Sequence, residues 1–274
     1  MSEKKELFEK LARAGFAARG VVYTIIGVFA ISAAFGSGRT EGSKGAIESL
    51  TGSTWGQVVL GFLVIGLFGY GLWRLLSGAL DFENEGSDKK GIAKRVAYVA
   101  SGLAHFALSI YAAALLFGSG GGGSGGGAQS MTAKLMQQPF GRYLVMAAGM
   151  IAFIVAAAQL SKAFKEKYRR HIALPDAHGV SNKLIKFGII SRAVVFAIIG
   201  AFLVYAGITV SPENAKGVGG ALSWMQEQSY GSILLAFIGV GLLGFALFSF
   251  LQARYRVIPD PEQEARSKVA AFAR

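Results

Sequence analysis

Cysteine is absent from this chain, and acidic side chains are scarce. Without cysteine there is no disulfide framework, no thiolate metal site and no cysteine nucleophile. No Ser/His/Asp constellation, zinc-ligand spacing or phosphate-binding glycine loop stands out in its place. Charge of either sign is also sparse. Only 16% of the 274 residues are charged, 28 Lys and Arg against 16 Asp and Glu, while 53% are hydrophobic. The charges gather in short blocks. Between them run apolar stretches of about 20 residues or more, enough to cross a hydrocarbon core of about 30 Å.

The spacing predicts an all-α integral membrane bundle with spans at 14–36, 55–80, 93–118, 140–164, 184–209 and 230–253. The first run follows a basic start, as a secretion signal would. It is longer than the signal core of about 7–15 residues, and related segments recur twice, so it is read as a retained helix. The net charge of +12 suits a nucleic-acid binder in size but not in placement, because the basic residues flank apolar segments. Of the Lys and Arg, 23 fall on the side of the termini and of the even-numbered connections, and 5 on the other side. By the positive-inside rule both termini are then cytoplasmic, in a bacterial inner membrane.

An internal repeat organises the chain. The segment Arg13–Tyr23 aligns with Arg95–His105 and with Lys186–Phe196. The even-numbered spans each open on an aromatic-glycine pair: Trp55-Gly56, Phe140-Gly141 and Tyr230-Gly231. Phe35 to Gly38 returns as Phe117 to Gly120. Leu50, Leu135 and Met225 each stand five residues before the aromatic, and Gly45 to Ile47 matches Gly220 to Leu222. The units are 1–86, 87–179 and 180–256, followed by a cytoplasmic tail, 257–274, expected to end in a short surface helix. Each unit holds two spans, so all enter the membrane in the same sense. Parallel repeats are related by an axis along the membrane normal, and three predict a pseudo-threefold bundle. The Gly/Ser-rich stretch 118–127 is a flexible loop in this reading.

The tripled opening segment, Gln138-Pro139-Phe140-Gly141 and Tyr70-Gly71-Leu72-Trp73-Arg74 together resemble bacterial membrane proteins of the domain-of-unknown-function 1206 family, over residues 10 to 255. The resemblance implies a six-helix, three-repeat membrane protein. It implies no catalytic residue, because no activity is established for the family. Unit two departs from the pattern, with Ser101 where the others have Arg19 and Arg192, which puts a threefold polar site in question.

No predicted span holds Asp or Glu in its interior, which disfavours a cation-coupled carrier or pump. Three arginines, Arg19, Arg192 and Arg74, lie one to two turns inside helix ends. They either snorkel to headgroups or form a site for an anion or a lipid phosphate. The register puts Arg19 over Tyr23, Ser101 over His105 and Arg192 over Phe196 on a shared face. His105 is the one intramembrane histidine. A haem or metal would want a second ligand at that depth, and none is in sight, so it is read as an aromatic-like packing position with a ligand role as the alternative. Gly66, Gly69, Gly241 and Gly244 are read as helix-packing surface. The expected function is a non-enzymatic structural or lipid-interacting module whose partners are membrane lipids, including anionic ones, with no cofactor and no nucleic acid. The alternatives are a channel or permease for a small neutral or anionic solute, and a cofactor or pigment carrier built on His105. Oligomeric state is open.

Overall fold

The computed structural model describes residues 3–36, 38–83, 85–118, 127–172, 180–256 and 258. These form nine α-helices: α1 Glu3–Ala34, α2 Ser43–Glu48, α3 Thr54–Leu80, α4 Lys89–Leu116, α5 Gly127–Met136, α6 Gly141–Phe164, α7 Val180–Thr209, α8 Val218–Gln226 and α9 Gly231–Tyr255. Six of them (α1, α3, α4, α6, α7 and α9) are long and apolar enough to cross a membrane. Among the described residues there is no strand, only an isolated bridge between Ile172 and Arg256. The expected surface helix in the tail, and the Gly/Ser stretch apart from its ends, lie outside the described residues.

Two features extend the sequence reading. Helix α1 begins at Glu3 rather than at residue 14, because Glu6 pairs with Lys10 and Glu9 with Arg13 one turn apart, which supports helix beyond the apolar stretch. The short helices α2, α5 and α8 were not foreseen. One stands between the two long helices of each unit, so the repeat is long, short, long. They explain the aromatic-glycine pair. A Cβ on Gly56 would collide with the Leu50 carbonyl, one on Gly141 with that of Leu135, and one on Gly231 with that of Gln226. The glycine lets the second long helix start hard against the last turn of the short one. The aromatic beside it points out: Trp55, Phe140 and Tyr230 are 82%, 78% and 79% exposed, as an interfacial aromatic belt requires.

Around the bundle α1 packs on α9, α3 on α4, and α6 on α7. Each pair joins the second long helix of one unit to the first of the next, closing from unit three to unit one, as pseudo-threefold symmetry requires. Contacts repeat in register. Gly27 meets Gly239 across α1 and α9, and Gly200 meets Gly149 across α7 and α6. At the equivalent point of α4 and α3, the Ser109 hydroxyl donates to the Val64 carbonyl at 2.8 Å. Nearer the termini, Arg13 donates to the carbonyls of Ala253 and Arg254, each at 2.8 Å. Arg95 does the same to Gly78 and Ala79, again at 2.8 Å, and Lys186 stands over the Phe164 ring at 5.6 Å. A cation on the last carbonyls of the neighbouring helix satisfies groups the helix leaves open and suits its dipole.

Within the units the symmetry breaks. Helix α1 packs on α3 and α7 on α9, but α4 has no packed interface with α6. The reason is legible residue by residue. A Cβ on Gly69 would strike the Leu11 carbonyl, and one on the equivalent Gly244 would stand 2.5 Å from the Leu184 carbonyl. A Cβ on Gly66 would come within 2.5 Å of Ala18, and one on Gly241 would collide with Ser191. Counting from the aromatic-glycine pair, α6 has Ile151 and Ile154 at these places. Branched side chains hold a helix off where glycine would admit it. Ile151 and Ile154 are 60% and 65% exposed.

The half of the bundle carrying the short helices is filled with apolar side chains. Ile26, Leu60, Leu63 and Leu235 pack with Ile47 of α2 and with Leu222 and Met225 of α8, all buried.

Candidate anion site

The opposite half is lined differently, and all six long helices contribute. Arg19 on α1 is buried. Its Nε donates to the Ser249 hydroxyl at 3.1 Å, one terminal nitrogen to the Tyr70 hydroxyl at 2.7 Å, and the other to the Gln252 side-chain oxygen. Its guanidinium also stands 5.0 Å from the Tyr70 ring and 5.1 Å from that of Phe245. Arg192 on α7 lies 4.6 Å from the same Phe245 ring, and donates to the Gln159 oxygen on α6 at 3.2 Å. Arg74 on α3 donates to the Tyr70 hydroxyl at 3.1 Å, and stands 4.6 Å from the Tyr98 ring on α4. Phe245 therefore joins Arg19 to Arg192, and Tyr70 joins Arg19 to Arg74. Arg19 is close enough to both Arg192 and Arg74 to be repelled by each. Rather than reaching out to headgroups singly, the arginines converge.

The repeat register explains this convergence. Position 19 of α1 corresponds to 101 of α4 and 192 of α7; position 249 of α9 corresponds to 74 of α3 and 159 of α6. Arg19 faces Ser249, and Arg192 faces Gln159. At the third interface the pair is Ser101 and Arg74, with the arginine moved to the other helix. Each of the three equivalent interfaces thus carries one guanidinium and one neutral polar partner position. The serine at 101 does not remove a charge from the threefold arrangement; Arg74 replaces it from across the interface.

One turn further in lies an aromatic tier. Tyr23 packs against Phe245 at 4.7 Å between ring centroids, and the equivalent His105 against Tyr70 at 4.4 Å. At the third interface Phe196 corresponds to Tyr23, and Val155 to Tyr70. The His105 Nδ1 lies 2.7 Å from the Ser101 carbonyl; because a carbonyl only accepts, Nδ1 donates. The structure thus places His105 as an aromatic packing partner, and among the described residues there is no group of three His, Asp or Glu that would hold a metal.

Tyr70, Gln159, Ser249 and Gln252 were missed in the sequence. The signal was present: carrying the aromatic-glycine register down the even-numbered spans puts Arg74, Gln159 and Ser249 in one column, and Ser77, Lys162 and Gln252 in the next. Two donors in this region are buried without a partner, Arg192 Nε and Gln159 Nε2. Lone buried donors are uncommon in a folded interior. Arginine forks match phosphate oxygens in geometry, so the arrangement is chemically suited to an anion.

Comparison with known proteins agrees with the architecture. The family model described as Domain of Unknown Function (DUF1206) matches three times, at residues 14–81, 96–166 and 187–256. The chain is 29% identical over 261 residues to the "Uncharacterized protein YxxB" of Bacillus subtilis (strain 168), covering 93% of each. No solved structure matches. A six-helix membrane bundle built from three copies of one long, short, long unit, matched over each copy by this model, belongs to the DUF1206 family.

Proposed function

We propose that this protein is a non-enzymatic binding module of the bacterial inner membrane, that its termini are cytoplasmic, and that its three arginines receive a phosphate-type anion from the cytoplasmic half. The observation that carries the reading is the convergence of Arg19, Arg74 and Arg192 over two shared rings, with Arg192 Nε left unpartnered. Placing a guanidinium in hydrocarbon costs about 3 kcal/mol. Arg19 offsets that with neutral hydrogen-bond partners and cation–π contacts, and Arg192 with one amide and flanking rings. A tribasic cluster whose shared partners are neutral retains net positive charge, and an anion relieves its repulsion. The converging groups are cations, amides and aromatic rings, which bind and orient.

Passage of a solute through the whole bundle is the weaker alternative. Ile47, Leu222, Met225 and their neighbours fill the short-helix half, so the polar end opens onto apolar packing rather than a polar path. The 23-to-5 division of basic residues supports the orientation.

The test is thermal unfolding of delipidated protein in neutral detergent, titrated with inorganic phosphate. Phosphate should stabilise the protein, and Arg192→Gln should lose that response while Arg192→Lys keeps part of it. An unchanged response in Arg192→Gln would refute the site.

A further inference from the structure

The open side of unit two bears on what kind of anion the site takes. The positions that bury the packing of α1 on α3 and of α7 on α9 are exposed in unit two. Ala18 and Val22, and their counterparts Ser191 and Val195, are buried, whereas the equivalent Ala100 and Ala104 are exposed. On the partner helices Trp73 and Phe248 are buried, whereas Ala158 is exposed. Helices α4 and α6 thus leave unpacked the positions that their counterparts bury, and these are small and aliphatic: Val96, Ala100 and Ala104 on α4, Ile151, Ile154 and Ala158 on α6.

The polar cluster reaches both walls. Ala100 is followed by Ser101 and stands about one turn from His105 on α4, while Ala158 is followed by Gln159 on α6. Gln159 is nine-tenths buried, holds Arg192 through its oxygen, and carries an amide nitrogen with no partner. Lys162 lies one turn beyond it, its ammonium 5.5 Å from the Phe248 ring. Exposed apolar walls beside a buried cluster of guanidinium groups and unpaired donors match an amphiphile, with chains in hydrocarbon and an anionic phosphate at one end. A free phosphate would use the cations but leave the exposed walls unexplained.

We propose that the ligand is an anionic phospholipid that enters sideways between α4 and α6, its phosphate at Arg192 and Gln159 and an acyl chain along Ile151 and Ile154. This rests on the anion reading above and adds the ligand class and its route. Unit two is then the functional unit because its helices stay apart; the glycines of the other two units close the same route.

Two variants block this route from opposite walls, Ala100→Trp and Ala158→Trp, both at exposed positions. Each full-length protein is purified in mild detergent; bound phosphatidylglycerol is counted by native mass spectrometry, and the delipidated protein is then titrated with inorganic phosphate by thermal unfolding. The wild type should hold about one phosphatidylglycerol per chain, and the blocked variants should lose at least about tenfold of it, equivalent to about 1.4 kcal/mol, while keeping the phosphate response. Wild-type lipid occupancy in either folded variant would overturn the lateral route and leave the anion site standing. Loss of phosphatidylglycerol matched by equal loss of neutral phospholipid would overturn the phosphate specificity. Absence of any phosphate response in the wild type would remove the anion site itself.

Discussion

Unit two and its two sister units are copies of one plan, yet they do opposite things in the bundle. In units one and three a pair of glycines brings two long helices into backbone contact and seals the wall. In unit two isoleucines occupy both places and the wall stays open. The contacts between units fall at the same register positions all round, and at two of the three interfaces they include an arginine on the last carbonyls of the neighbouring helix. The lesson is that symmetry resides in the interfaces between units, whereas function is set within a unit by residues as small as glycine.

The largest effect should come from exchanging the two kinds of wall. Gly69→Ile and Gly244→Ile each drive a side chain into a backbone carbonyl, and should cost about 3 kcal/mol or more, or prevent folding. Ile154→Gly removes an exposed side chain and should cost about 1 kcal/mol. Unfolding in detergent measures both. Equal costs would mean that the glycines do not hold the sealed walls.

Next in size is relocation of the charge. Arg74→Ser removes the guanidinium of the α3 and α4 interface and should weaken phosphate binding about tenfold, the scale of one charge-assisted hydrogen bond. Arg74→Ser combined with Ser101→Arg restores the pattern of the other two interfaces, and should recover affinity to within about threefold of wild type. A double variant no better than the single one would show that the two positions are not interchangeable.

That second prediction also marks where sequence reading stopped. The six spans, the threefold repeat and Arg19, Arg74, Arg192 and His105 were legible because apolar length and register are local properties of the chain. The short helices were not, because α2 and α8 owe their burial to partners distant in sequence, such as Ile26 and Leu235, and their own apolar content is modest. Ser101 looked like a lost charge because the register was followed along α1, α4 and α7 alone. Its replacement at Arg74 is visible only when facing helices are paired. The open wall was within reach, since Ile151 and Ile154 can be aligned with Gly66 and Gly69, but its meaning depends on knowing that those glycines touch backbone.

A smaller effect is expected at the aromatic tier. His105→Phe reproduces the residue that unit three has at this position, and should change stability by less than about 1.5 kcal/mol, as a packing position tolerates a similar volume. A collapse in stability together with loss of an absorbance band from the purified protein would instead assign His105 a ligand role.

The smallest effect concerns the link from unit two to unit three. Glu166, just beyond α6, accepts from Arg169 at 3.0 Å and from Asn182 at 3.4 Å. The Arg169 hydrogen bond first, and that of Asn182 second, hold its carboxyl below the usual carboxylate range. A carboxyl lowered in the folded state contributes stability that is fully present above the unfolded value of about 4.3, and is lost as pH falls below it. Glu166→Gln should therefore lower stability slightly at neutral pH, leave it unchanged at strongly acid pH, and so flatten the acid limb of the stability profile. A loss of equal size at neutral and at strongly acid pH would contradict that assignment.

The most direct test of the central claim is a cryo-electron microscopy map of the protein in nanodiscs containing phosphatidylglycerol. The account expects α1 packed on α3 and α7 on α9, with α4 and α6 apart, phosphate density within hydrogen-bond reach of Arg192 and Gln159, and chain density beside Ile151 and Ile154. A map with α4 packed on α6 as α1 packs on α3, and no phosphate among the arginines, would contradict it.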